Sequence, residues 1–239
     1  MANKGKYYES QFEEATIALL REAHWQYTFG DDIHRKYTDP LIEEDLRNFL
    51  ATQYKNKKLT VAEIDGIVAN LRNTGGQNDY YALRNAFLLY RDGYDFTYSD
   101  GRNNPFRLEY IDFEHPDHNI FRCVNQFVME QGRENRRPDI LLFINGIPVC
   151  IIELKNPTKQ NATIRDAHTQ ICIRYTRDIP TLLKYCALAV ISDGAKNALG
   201  TTYTPFEFFY EWKKIENEDK AGKGLDTLRT LIRGALSPE

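Results

Sequence analysis

The chain has 239 residues, 42% hydrophobic and 27% charged, with a formal net charge of −3. That fits one sizeable domain, alone or with an appendage, and excludes a protein that holds nucleic acid by diffuse positive charge alone. There is no apolar run of about 18 residues to cross a membrane, and the polar start MANKGKYYESQFEE is no signal peptide. Cys123, Cys150, Cys172 and Cys186 are widely spaced and read as buried thiols of a reducing, cytoplasmic protein rather than a zinc site.

In chain order, Ser10 and Glu13 match a capping box, and Phe12, Ala15, Thr16, Leu19, Leu20 and Ala23 follow at helical spacing. The pattern predicts a helix over 11–24. Alternating Trp25, Tyr27 and Phe29 predict a strand. Leu41, Ile42, Leu46, Phe49 and Leu50 after Asp39-Pro40 predict a second helix, Thr60 with Glu63 caps a third, and a fourth spans 79–90. Beyond Gly93 the period shortens. Strands are expected around 106–113, over 119–130, over 138–144 and over 147–155, the last two joined through Asn145-Gly146. A helix over 163–178 and a buried strand over 187–192 follow. Phe206 to Trp212 is aromatic, a strand or short helix. Residues 213–224 read as a linker and 225–236 as the start of a helix in a following region. The fold class is α/β: a mixed central sheet flanked by helices, with a helical insertion or lobe over 38–90. The domain itself is expected to span 1–212, as a piece of a longer protein.

Within the strand pair, Asp139, Glu153 and Lys155 stand out. Two carboxylates and a lysine at a strand end form a metal-dependent phosphodiesterase site. Mg²⁺ takes hard oxygen ligands, here Asp139, Glu153 and the Leu154 carbonyl. Lys155 would orient water and offset charge on the phosphorus. Glu13 is a further candidate ligand, although the capping box explains it without chemistry. Against the site stands a simple ion pair, Glu153 with Lys155 or Asp139 with Arg137. Register separates the readings. A strict two-residue turn at Asn145-Gly146 pairs 139 with 152 and puts the two carboxylates on opposite faces. A shared site requires an odd-length turn or a bulge, and Pro148, which has no N–H for the ladder, makes irregular pairing there plausible.

Charge supports a polyanion partner locally. Lys155 to Lys184 carries six Lys/Arg against Asp166 and Asp178, with Arg133, Arg136 and Arg137 just upstream. Arg136, Arg137, Lys159 and Arg174 are candidate contacts to DNA, as are Gln170 and Tyr175 on the following helix. An ordinary solvated surface is the plain alternative. His24, His34, His115 and His118 show no ligand spacing, and His168 reads as solvated. No phosphate-binding GKT/GKS loop is present.

RRPDILLFINGIPVCIIELKNP resembles the nuclease core of the PD-(D/E)xK superfamily and, more narrowly, looks like the N-terminal domain of the R (restriction, motor) subunit of type I restriction enzymes. FEEATIALL, EYIDFEHPDHNIFRCVNQF, RYTRDIP, AVISDGAKNALG and the Trp212 region extend the likeness. The resemblance implies a restriction-endonuclease-like core. It implies Asp139, Glu153 and Lys155 as the residues of Mg²⁺-dependent cleavage of double-stranded DNA. It also implies a QxxxY motif on the next helix, where Gln170 and Tyr175 stand five apart instead of four. It implies methylation and specificity subunits as partners, no membrane, and ATP used by a motor region absent from this chain. A catalytically quiet DNA-binding or assembly module on the same fold is the alternative, and convergence of Asp139, Glu153 and Lys155 distinguishes the two.

Overall fold

The computed structural model describes residues 2–155, 163–215, 222 and 224–238, with side chains from residue 10 onward. Its centre is a six-stranded mixed sheet. In chain order its strands are β1 (Gln26–Phe29), β4 (Phe121–Asn125), β7 (Ile140–Ile144), β8 (Ile147–Leu154), β9 (Leu188–Ser192) and β10 (Asn197–Gly200). They lie side by side in that same order. β1 runs parallel to β4 and β8 parallel to β9, and the other neighbours are antiparallel. Two small ribbons stand apart, β2 (Tyr94–Phe96) with β3 (Phe106–Leu108) and β5 (Met129–Gln131) with β6 (Glu134–Arg136).

Alternation along each strand divides the core by face. Cys150, Ile152 and Leu154 of β8 meet Phe12, Leu19 and Leu20 of α1 (Ala2–Glu22) and Leu228, Leu231 and Ile232 of α8 (Leu225–Ala235). The helix expected to open a following region thus lies in the same core, and Trp25 Nε1 donates to the Leu236 carbonyl at 2.8 Å. The linker expected over 213–224 falls largely outside the described residues. Ile151 on the opposite face meets Ala167 of α5 (Ile164–Thr169), then Ile171 and Tyr175 of a π-helical segment, Gln170–Tyr175. The short α6 (Thr176–Asp178) and α7 (Pro180–Leu183) complete that cover.

The helical lobe is α2 (Glu43–Gln53), α3 (Val61–Asn73) and α4 (Asp79–Asp92). Its cluster of Leu46, Phe49, Leu50, Ile67, Leu71 and Tyr90 includes Ile147 at the start of β8. Arg122 of β4 forms a two-pronged pair with Asp45 at 2.7 and 2.8 Å, fixing α2 beside the sheet. The expected capping box at Thr60 and Glu63 is present.

The strand expected around 106–113 is only Phe106–Leu108, and two further expectations fail for local reasons. Ser10 caps nothing, because α1 begins at Ala2 and runs through it. The strand expected over 119–130 is broken at Gln126, whose φ of 55° is left-handed. Cys123 therefore faces the α1 side while Phe127 and Met129 face the other. Gly30 tolerates this kink because a Cβ there would meet the Gln126 carbonyl at 2.6 Å.

Candidate active site

Asn145 and Gly146 form a two-residue turn with φ of 50° and 76°, the left-handed pair that such hairpins require. A side chain at 146 would meet the Ile42 carbonyl at 2.1 Å, so the turn fits against the lobe only as glycine. Ile144 pairs with Ile147 and Phe143 with Pro148. The register then shifts, Leu142 pairing with Cys150 and Ile140 with Ile152. Val149 is the extra residue of a bulge. Continued by one position, the shifted register sets Asp139 opposite Glu153. The regular turn and the shared face are reconciled by the bulge, one of the two alternatives that a common site demanded.

Glu153 is 1% exposed. Its Oε1 accepts from Lys155 Nζ at 2.7 Å, and Lys155 Nζ also donates to Gln170 Oε1 at 2.7 Å. Gln170 Nε2 donates to the Tyr175 hydroxyl at 2.7 Å. Asp139 Oδ2 accepts from the Leu154 amide at 2.7 Å, which clamps it to the end of β8. Glu153 Oε2 is buried and makes no hydrogen bond of good geometry among the described residues, although the Asp139 carboxyl and the Tyr175 hydroxyl stand close enough to act on the Glu153 carboxyl. Burial raises the Glu153 carboxyl well above the ordinary value, the Asp139 charge raises it further, and Lys155 opposes both. The Tyr175 phenol is likewise pushed up, by burial and then by Glu153, and stays protonated. A buried carboxylate beside a second carboxylate fits a hard divalent cation.

The remaining candidates divide. Glu13 lies on α1, where Oε1 accepts from Asn125 Nδ2 at 2.6 Å and both oxygens accept from Gln126 Nε2 at 3.0 Å. The Gln126 backbone N–H in turn donates to the Asp139 carbonyl at 3.3 Å, which ties Glu13 to the Asp139 backbone. Asn125 and Gln126 were missed by sequence reasoning, because polar residues within an apparent strand gave no sign of the kink. Arg136 is held by Asp178 and Glu134. Arg137 and Arg174 are exposed, and Lys159 lies outside the described residues. His168, expected in solvent, turns Nε2 to the Thr204 carbonyl at 2.9 Å and packs on Phe206 and Phe209.

Residues 6–208 match the family described as the type I restriction enzyme R protein N terminus. The chain belongs to this family. It is 28% identical over 243 residues to the type I restriction enzyme HindI endonuclease subunit of Haemophilus influenzae, covering 97% of this chain and 23% of that protein. It is 32% identical over 224 residues to the putative MjaIXP endonuclease subunit of Methanocaldococcus jannaschii, covering 87% of this chain and 20% of that one. A third relative, the EcoprrI endonuclease subunit of Escherichia coli, is 32% identical over 133 residues, 52% of this chain and 40% of the relative. The chain spans less than a quarter of the length of the first two. No helix among the described residues is long and apolar enough to cross a membrane.

Set against the QxxxY spacing expected of the family, Gln170 and Tyr175 carry one residue too many. The structure absorbs it: Gln170–Tyr175 is a π turn, wide enough to bring residues five apart onto one face. Ile171 and Tyr175 remain buried, while Ile173 is 57% exposed. Deleting Ile173 should convert the π turn to α-helix, leaving Gln170 and Tyr175 on one stripe four residues apart. Circular dichroism should show a folded protein with a melting temperature within roughly 2–4 °C of the parent, about 1 kcal/mol. A collapse in stability would show that the extra residue is not simply absorbed.

The raised Glu153 carboxyl links the site to pH. The folded chain holds this proton more tightly than the unfolded chain. Its stabilising contribution is complete below the unfolded value of 4.5 and is lost as pH rises through the folded value. In chelator, stability should therefore fall across that window. Mg²⁺ at ten times its Kd should restore about 1.4 kcal/mol at the alkaline end and little near about pH 5. Thermal melts of Glu153→Gln should lack this Mg²⁺ effect. An equal Mg²⁺ effect in the variant would remove Glu153 from the site.

Proposed function

We propose that this chain is the nuclease region of a type I restriction R subunit and hydrolyses phosphodiester bonds of double-stranded DNA with Mg²⁺. The observation that carries the reading is the convergence of Asp139, buried Glu153 and Lys155 at the end of β8, where each carboxylate feels the other and Lys155 bonds to Glu153. A module that only bound DNA would have no use for two carboxylates set against each other in a buried site, because each raises the cost of ionising the other unless a cation joins them.

Asp139 and Glu153 would hold the ion, with the Leu154 carbonyl a third candidate at the end of β8. When bound, the ion supplies Lewis-acid polarisation of the phosphate and lowers the pKa of attacking water. Lys155 has three N–H groups. Among the described residues, two are taken by Glu153 and Gln170. The third is left for a phosphate oxygen or for water, and its charge stabilises the pentavalent transition state. Gln170 sets the Lys155 direction, and protonated Tyr175 sets that of Gln170. Exposed Arg137, two residues before Asp139, and exposed Arg174, next to Tyr175 in sequence, would serve as backbone contacts, and such contacts fix position without reading sequence. DNA recognition would fall to partner specificity and methylation subunits, in the cytoplasm. ATP use belongs to the remainder of the full-length subunit.

Plasmid cleavage by the full-length protein in its complex, with ATP and Mg²⁺, tests this. Glu153→Ala and Lys155→Ala should each lower cleavage by roughly 10²–10³-fold while ATP hydrolysis continues. Cleavage at the parent rate in both variants would end the assignment.

A further inference from the structure

A second group of metal-ligand side chains lies away from the nuclease site. The Pro116–His118 3-10 turn follows Asp112 in the sequence DFEHPDH. In a 3-10 turn, residues three apart eclipse one another, so His115 and His118 stack with ring centroids 4.9 Å apart and planes 18° from parallel. Both rings turn Nδ1 toward Asp112. His118 Nδ1 is 3.0 Å from Oδ2, and His115 Nδ1 is 3.6 Å from Oδ1. The three ligand atoms lie within 4.8 Å of one another. The linear sequence hid this, because a Dxx-Hxx-H spacing becomes a ligand set only when the turn is 3-10.

We propose that Asp112, His115 and His118 bind a divalent transition ion of the zinc, cobalt, nickel and copper group.

Two imidazoles and one carboxylate suit these borderline ions better than Mg²⁺, which prefers oxygen. Asp112 is 4% exposed, whereas the imidazoles are substantially exposed, so three protein ligands leave a position open to water. The ion would replace the proton between His118 Nδ1 and Asp112 Oδ2. Gln53 Nε2 donates to that same Oδ2 at 2.7 Å and the His115 amide to Oδ1 at 2.9 Å, which fixes the carboxylate from behind. As a loop staple alone, Asp112 needs only those amide donors and the Glu114 amide. That role does not require two imidazoles turned to one carboxylate.

The position gives the ion something to hold. Asn119 Nδ2 donates to the Asp112 carbonyl at 2.7 Å, and Asn145 Nδ2 donates to Asn119 Oδ1 at 2.8 Å. Asn145 is the turn of the β7–β8 hairpin. Ion binding therefore stiffens the loop that supports the hairpin at the end remote from Asp139 and Glu153.

Co²⁺ titration of the purified chain, with Mg²⁺ present to fill the nuclease site, decides the matter. One Co²⁺ should bind with d–d absorption and no thiolate charge-transfer band, and the melting temperature should rise. His115→Asn and His118→Asn should each weaken binding by roughly 100-fold or more, since loss of a direct ligand exceeds the 10–100-fold typical of a supporting residue. Both histidines are exposed, so unchanged melting of the metal-free variants confirms that they fold. Glu153→Gln should leave Co²⁺ affinity as it was. Absence of stoichiometric binding, a thiolate band, or binding indifferent to both histidines would overturn the proposal.

Discussion

One extra residue in a hairpin governs the candidate site. Val149 has no partner across the ladder. Without it, the tight Asn145-Gly146 turn would set Asp139 against Ile152, and the two carboxylates would leave the sheet on opposite sides. With it, both point to the face covered by α5 and the π turn. The turn itself has no freedom to make this adjustment. Asn145 is wholly buried and bonded to Tyr110, Asn119 and Ile120, and Gly146 is pressed against Ile42. The lobe grips the turn, so the register has to be corrected inside the strand.

The same device recurs opposite. The π turn is a one-residue insertion in a helix, as the bulge is in a strand, and both lie where side chains must be re-aimed. Together they complete the chain Glu153–Lys155–Gln170–Tyr175. Each polar group in that chain meets the next, until Glu153 Oε2 is left over. Glu63 Oε1 is likewise buried without a partner, so what distinguishes Glu153 Oε2 is its place beside Asp139 and Lys155.

Much of this was legible from the residues. Glu153 and Lys155 within an apolar strand, and Asn-Gly between two strands, fixed the face and the demand for an irregularity. Which irregularity was not legible, because pairing partners are set by the lobe packing on the turn. The missed features share a cause. Ser10 mimicked a cap inside a longer helix, and Gln126 sat in perfect alternation yet reversed it by one left-handed residue. β10 escaped notice because Asn197–Gly200 is short, and its pairing to β9 is tertiary. Local pattern reports what a segment prefers, and these segments answer to their neighbours instead.

If the bulge makes Asp139 and Glu153 ligands of one ion, crystals soaked in Mn²⁺ and measured at its absorption edge will reveal it. An anomalous peak should appear with carboxylate oxygens of both residues at about 2.1 Å, the distance expected of a small octahedral ion. A peak that touches only one of them, or a β8 strand in which Glu153 faces α1 instead of Tyr175, would contradict it.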